Sequence, residues 1–275
     1  MELCRSHNKV ITTMKKILIA SLLALSSLSA FAAPDQSGLD PAFAKVQQYL
    51  QAKNYTAAYT ELDVMAKAGN AQAMYNQAYM IQMGQGTAKN NGKALKLYQE
   101  SSDKGYSVAS YVLAQSYATG ELGLTKDAKK SKTYLEKASS QGFDDATLEL
   151  AVMAFAEGKD KEALQRIDPL IKKGNSQAIH TKALYDITQG YKTKNETLVK
   201  QGLNAIRDLA TKGYVPALMA VANMMTNGNI IEQNLPEAKK IYTALAKDNI
   251  PKAKESLDVV NKLLAEQAKQ PAPKK

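Results

Sequence analysis

The hydrophobic positions of this chain recur at helical spacing and in a repeating frame. Six stretches end one helical pattern, turn and begin the next: AGNAQA at Gly69, KGYSVA at Gly105, QGFDDA at Gly142, KGNSQA at Gly174, KGYVPA at Gly213 and DNIPKA at Asn249. Four places after each turn residue stands an alanine: Ala73, Ala109, Ala146, Ala178, Ala217 and Ala253. Nine places after the first five stands another: Ala78, Ala114, Ala151, Ala183 and Ala222. Seven places before the turn is a large side chain, Leu62, Tyr98, Leu135, Ile167, Ile206 or Tyr242. Three places before it is Ala66, Ser102, Ser139, Ile171, Ala210 or Ala246. These last two positions are four apart and share one stripe of the helix before the turn. A large residue beside a small one suits close helix packing. The turns lie 36, 37, 32, 39 and 36 residues apart, a period that predicts stacked helical hairpins, each too small to bury its own core.

Helix A of each hairpin comes after a turn, and helix B comes before the next one. The two alanines of helix A differ by about 140° around the axis. One is therefore expected against its own helix B and the other against the preceding repeat. Glycine at the turn suits a left-handed residue after a helix end, and asparagine, as at Asn249, is the usual second choice. Lys104, Lys173 and Lys212 precede the turn glycine, where a cation favours the helix C-terminus. Gly84, Gly120, Gly158, Gly190 and Gly228 mark the A-to-B loops, and Asn91, Asp127, Asp160, Asn195 and Asn234 are the expected B-helix caps. The third loop is the shortest and the fourth the longest, running over residues 189–196.

The ends read differently. Asp40-Pro41 is a helix start, with Phe43, Val46 and Leu50 as its apolar stripe, and Thr56 is the expected cap of a second helix reaching Lys67. After Pro251 one more helix should run to about Gln267, with Leu257, Val260 and Leu264 inward, and close the stack. From Met14 the chain reads MKKILIASLLALSSLSAFAAPDQ: two lysines, an apolar stretch, and Ala30-Phe31-Ala32 as a cleavage site. That is the pattern of a secretory signal peptide, and the apolar run is too short to span a membrane. The expected organisation is a signal peptide over 1–32, with 1–13 an over-extended start, a linker over 33–40, a helical repeat domain over 41–268 and a disordered basic tail over 269–275.

Residues 69–250 resemble Sel-one-like repeats, relatives of the tetratricopeptide repeat. The resemblance is carried by Gly84-Gln85-Gly86, Asp127 with Ser131, Ser102 with Gly105, and Gly228, Asn234, Ala238 and Ala246. The third and fourth units depart in loop length. The resemblance implies an all-α, right-handed α/α solenoid of about five hairpins plus a C-terminal capping helix. It also implies an adaptor that holds other proteins together, with the A helices on the concave face.

Composition narrows the chemistry. Removing residues 1–32 takes away four basic residues and one acidic one, leaving 32 against 25 and a charge of +7. Scattered lysines on helix faces account for that excess, and export argues against a nucleic-acid partner. The one cysteine, Cys4, lies in the over-extended start, so disulfides, thiolate catalysis and cysteine metal sites drop out. Beyond that segment His180 is the one histidine. It occupies the sixth position after its turn, where other units carry Tyr75, Tyr111, Leu148 and Met219, and reads as packing. Asp144-Asp145 falls in a first helical turn, where acids favour the dipole. Gly84-Gln85-Gly86 follows a helix and lacks the G-K-[ST] of a phosphate loop. No catalytic constellation emerges, and neither a cofactor nor a metal is implied.

Tyr75, Tyr79, Tyr111 and Tyr117 cluster in two consecutive A helices and are the candidate partner-binding residues; the other reading is that tyrosine serves here as the core aromatic. The leading expectation is a non-enzymatic protein-interaction scaffold, periplasmic or secreted, with no transmembrane segment once the signal is cleaved. The alternatives are an immunity or inhibitor protein that neutralises a toxic enzyme and, last, an envelope hydrolase.

Overall fold

The computed structural model describes residues 43–269. The signal peptide, the linker, the helix start at Asp40-Pro41 and the tail beyond Lys269 lie outside the described residues. Within them the chain forms thirteen α-helices, one short 3-10 segment and no strand. In order these are α1 (Ala44–Gln51), α2 (Tyr55–Lys67), α3 (Ala71–Met83), α4 (Asn91–Asp103), α5 (Ser107–Thr119), the 3-10 turn Glu121–Gly123, α6 (Ala128–Ser140), α7 (Asp144–Ala156) and α8 (Asp160–Lys172). They continue with α9 (Ser176–Thr193), α10 (Glu196–Thr211), α11 (Val215–Asn227), α12 (Leu235–Lys247) and α13 (Ala253–Gln267). The helices pair in sequence as α/α hairpins of a solenoid. They fall into two compact units, one ending at Ile167 and the other starting at Asp168, so the boundary lies inside α8.

All six turn residues are left-handed, with φ from +57° at Asn249 to +93° at Gly69. At Gly105 the Tyr106 amide donates to the Ser101 carbonyl at 3.1 Å and the Gly105 amide to Ser102 at 3.1 Å. This double closure satisfies two carbonyls that the end of α4 leaves open. The same pair of bonds recurs at each of the other five turns, for example Asn249 to Ala246 at 3.1 Å and Ile250 to Leu245 at 2.9 Å.

In the first unit the alanines four and nine places after the turn are fully buried, as are Leu62, Tyr98, Leu135 and Ile167 on the B helices. A methyl group at those A-helix positions lets neighbouring helices approach closely; a larger side chain would overpack the site. The core runs from Phe43, Val46 and Leu62 on α1 and α2, through Tyr75, Ile81, Tyr98 and Leu113, to Leu135, Ala146 and Leu150. Small polar side chains pin the turns. Ser102 and Ser110 share a hydrogen bond at 2.7 Å, and Ser139 and Thr147 repeat that pair one hairpin later at 2.7 Å. In both, the residue three before the turn meets the residue five after it.

The second unit uses the same rules. Ala178, Ala183, Ala217, Ala222 and Ala253 are buried, with Ile206 and Tyr242 as the large B-helix residues. Its core gathers Leu184, Ile187, Ile206, Leu209 and Met224, then Leu235, Tyr242 and Val260. Two expectations change here. Gly190 does not open a loop: α9 continues through it to Thr193, and the fourth loop, expected to be the longest over 189–196, is reduced to Asn195 and the left-handed Lys194 at φ +57°. Gly190 and Gly202 instead let α9 and α10 touch. A Cβ on Gly202 would lie 2.5 Å from the Ala183 carbonyl oxygen, and one on Gly190 2.6 Å from Val199 Cγ2.

The caps also shift slightly. Asp127, Asn195 and Asn234 each accept a backbone N–H as expected. At α4, however, Asn90 rather than Asn91 accepts, from the Lys93 amide at 2.9 Å, and at α2 the acceptor is Asn54 rather than Thr56. Asp160 is the first helical residue of α8 instead of its cap. The final helix, α13, buries Val260 and half-buries Leu257 and Leu264 as the pattern requires.

Candidate partner-binding face

The A helices of the first unit are α3, α5 and α7, and α3 and α5 each carry one position whose ring is covered by the next repeat. Tyr75, six places after its turn, packs on Tyr106, one place after the next turn, with centroids 5.2 Å apart. Tyr111 packs on Phe143 at 4.8 Å in the same relation. In the second unit His180 packs edge-on against Tyr214 at 5.7 Å, again six places after one turn against one place after the next. The ring pair is therefore a repeated joint between consecutive repeats. Tyr106, Phe143 and Tyr214 occupy the helix N-cap positions without a side-chain cap bond; they serve packing instead.

This joint separates the four candidate tyrosines. Tyr75 is 7% exposed, wedged between Tyr98 and Tyr106, and burial pushes its phenol up to about 12. Tyr117 is 8% exposed, stacked on Tyr134 at 5.6 Å, with the Lys130 ammonium 5.3 Å from its ring. Both are core aromatics, which corrects their placement on an open face. Tyr79 and Tyr111 are half-buried and keep an accessible edge. Tyr79 packs beside the cluster that holds Tyr75 and Val112.

Two residues that sequence reasoning did not single out join Tyr111. Gln115, ten places after its turn on α5, donates from Nε2 to Glu149 Oε2 on α7 at 3.0 Å. The Tyr111 hydroxyl also lies on the Glu149 side and favours its charged form. Desolvation raises the Glu149 carboxyl above its ordinary range, and these two neutral donors pull it back only in part. Burial likewise raises the Tyr111 phenol, with the Glu149 charge adding to it. The signal available in the sequence was slight: Glu149 is the one acid of α7 beyond its first turn, and Asp145 stands four places before it on the same side.

His180 belongs to the second unit. It is 6% exposed, its buried Nε2 has no hydrogen-bond partner, and burial pulls its imidazolium down to about 4. It fills the repeat's bulky position, as expected. Among the described residues no three His, Cys, Asp or Glu side chains gather as a metal-binding group, and no helix is long and apolar enough to cross a membrane.

With the hairpins and their joints placed, comparison with known proteins adds the family. The Sel1 repeat model matches residues 71–106, 107–143 and 215–249, which are the pairs α3–α4, α5–α6 and α11–α12. The chain carries three Sel1 repeats. The pairs α7–α8 and α9–α10, which depart from the motif in loop length, are not among the matched segments. A Sel1 repeat protein from Oxalobacter formigenes is similar in structure, with a TM-score of 0.67 at 24% identity, covering 86% of this chain and 100% of that one. A protective antigen of uropathogenic Escherichia coli strains that displays an SLR fold is also similar, with a TM-score of 0.62 at 22% identity over 79% of this chain. This Sel1-repeat chain spans about half of that antigen, 48%. No curated protein matches the sequence. Sel1 repeats generally mediate protein interactions, and the fold fits an interaction scaffold.

Proposed function

We propose that this Sel1-repeat protein is a non-enzymatic scaffold of the bacterial periplasm or cell envelope, binding a partner protein on the A-helix face of its first unit. The observation that carries the reading is the Tyr111–Gln115–Glu149 group, half-buried polar side chains on two adjacent A helices with Tyr79 on the third. A rigid ring with a hydroxyl offers contact area at small entropic cost, and fixed polar groups beside it give specificity. The envelope location rests on the n-region, apolar stretch and A-x-A site of residues 14–32.

The test has two parts. N-terminal sequencing of the exported protein should begin at Ala33, and retention of residues 1–13 would sink the location. A photo-crosslinker at Tyr79 should trap a partner in the native envelope, and Tyr111→Ala should weaken that complex by roughly 1–2 kcal/mol. Tyr75→Ala is the contrast: its chief effect should be on folding. An intact complex with a folded Tyr111→Ala variant would remove this face from the reading.

A further inference from the structure

Charge is divided between the two helix sets of the first unit. The A helices α3, α5 and α7 contain no lysine, arginine or histidine at all; their charged residues are Asp144, Asp145 and Glu149, all on α7. The B helices α4 and α6 alone carry Lys93, Lys96, Lys129, Lys130, Lys132 and Lys137, in a chain whose formal charge is +10. Among the described residues, every ion pair of this unit lies on α1, the B helices, the loops or the helix caps, as in Lys137–Asp103 at 2.6 Å and Arg166–Glu136 at 2.8 Å. None reaches Asp144, Asp145 or Glu149. Glu149 is thus a half-buried carboxylate that accepts from the neutral Gln115 amide, with the Tyr111 ring beside it and no cation to balance it. Helix α9 solves the same problem differently. That A helix also carries a buried acid, Asp186, but pairs it internally with Lys182 at 2.6 Å.

A carboxylate taken partly out of water and left without a counter-charge is costly, and a cation brought to it recovers part of that cost. The rings beside it supply the rest of a cation site, since ammonium and guanidinium groups settle over tyrosine faces. Building on the face proposed above, we infer that its partner presents a cationic segment, with one lysine or arginine seated against Glu149 beside the Tyr111 ring and further positive charge lying over Asp145 and Asp144. Long-range attraction brings such a segment to the A helices and turns it away from the lysine-bearing B helices. This face therefore discriminates by charge sign as well as by shape.

Short synthetic peptides of one backbone sequence, bearing Lys, Gln or Glu at the same positions, test this against the full mature chain by fluorescence anisotropy. The Lys peptide should bind about tenfold more tightly than the Gln peptide at low salt, with the margin shrinking as salt rises. Glu149→Gln should erase most of that margin. Gln115→Arg should do the same by a different route, because it supplies the cation from within. Melting curves of both variants confirm the fold, and Glu149→Gln should melt no lower than the parent. Equal binding of the Lys and Gln peptides, no binding of the Lys peptide, or a margin that survives both substitutions would overturn the inference. Tyr111→Ala keeps the two ideas distinguishable. If it weakens all three peptides alike while the Lys margin is absent, the face stands and the charge rule falls; if it changes nothing, the face itself is wrong.

Discussion

His180 should make the second unit acid-sensitive through a single proton. Its ordinary pKa is 6.5, and burial lowers it to about 4 in the folded chain. Desolvation is the whole cause. The neighbouring ring is Tyr214, and the Lys182–Asp186 pair on the same helix is internally neutralised. Above 6.5 both folded and unfolded chains hold a neutral imidazole, and the shift costs nothing. Between 6.5 and about 4 the unfolded chain takes a proton that the folded one refuses, so stability falls as the pH falls. Below about 4 both are protonated and the loss stops growing. A displacement from 6.5 to about 4 corresponds to about 3 kcal/mol. For a chain of this size that lowers the melting temperature by roughly 6–12 °C. The assay is urea or thermal unfolding by far-UV circular dichroism at neutral pH and at steps down to about pH 4, comparing the parent with His180→Leu. Leucine is what the third repeat places at this position, as Leu148. The difference between the two curves isolates His180 from every other titrating group. The variant should match or exceed the parent at neutral pH and pull ahead as the pH drops. Parallel curves would refute the account, as would a gap that opens only below pH 4.

Other substitutions probe the backbone and the caps. Gly105→Val meets no atom within 4 Å but forces a β-branched residue to φ +92°, and should cost about 1–2 kcal/mol in chemical denaturation. Gly202→Ala should destabilise, although helix propensity alone favours alanine by about 1 kcal/mol, because its Cβ would press on the Ala183 carbonyl and Ile187; a higher melting point would refute that packing. Asn90→Ala should cost about 1 kcal/mol by removing the α4 cap, while Asn91→Ala loses no hydrogen bond through its buried Oδ1 and should cost less. Tyr75→Ala should cost about 3–5 kcal/mol by opening a cavity between Tyr98 and Tyr106, read from the unfolding midpoint.

The architecture was legible because its determinants are local. A glycine turn, an alanine four places on and a large residue seven places back all lie within a dozen residues of one another, and each has a single structural meaning. What failed had more than one meaning. Gly190 looks like a loop glycine and is a contact glycine, since helix α9 ends on Lys194 instead. Asn90-Asn91 offers two caps in a row, and only helix register decides between them. The tyrosines were harder still. Whether Tyr75 or Tyr117 is open depends on what the next repeat or the next helix lays over it, Tyr106 in one case and Tyr134 in the other. The Gln115–Glu149 bond crosses a whole hairpin, so neither residue announces the other in the sequence.

The ring joint and the hydroxyl pair have a consequence for how such an array can grow. The segment 105–141 carries Tyr106 at its front edge and Tyr111 six places from its turn, with Ser110 and Ser139 in the matching hydroxyl positions. If that segment is copied in tandem, the first Tyr111 meets the copied Tyr106 and the copied Tyr111 meets Phe143. The first Ser139 meets the copied Ser110, and the copied Ser139 meets Thr147. The one new junction then has a ring pair and a hydroxyl pair of the kinds the chain already uses. A single in-frame duplication at this point should lengthen the protein by one hairpin with its ring joint and hydroxyl pair kept, while the first Gln115 would face the copied Val112 in place of Glu149.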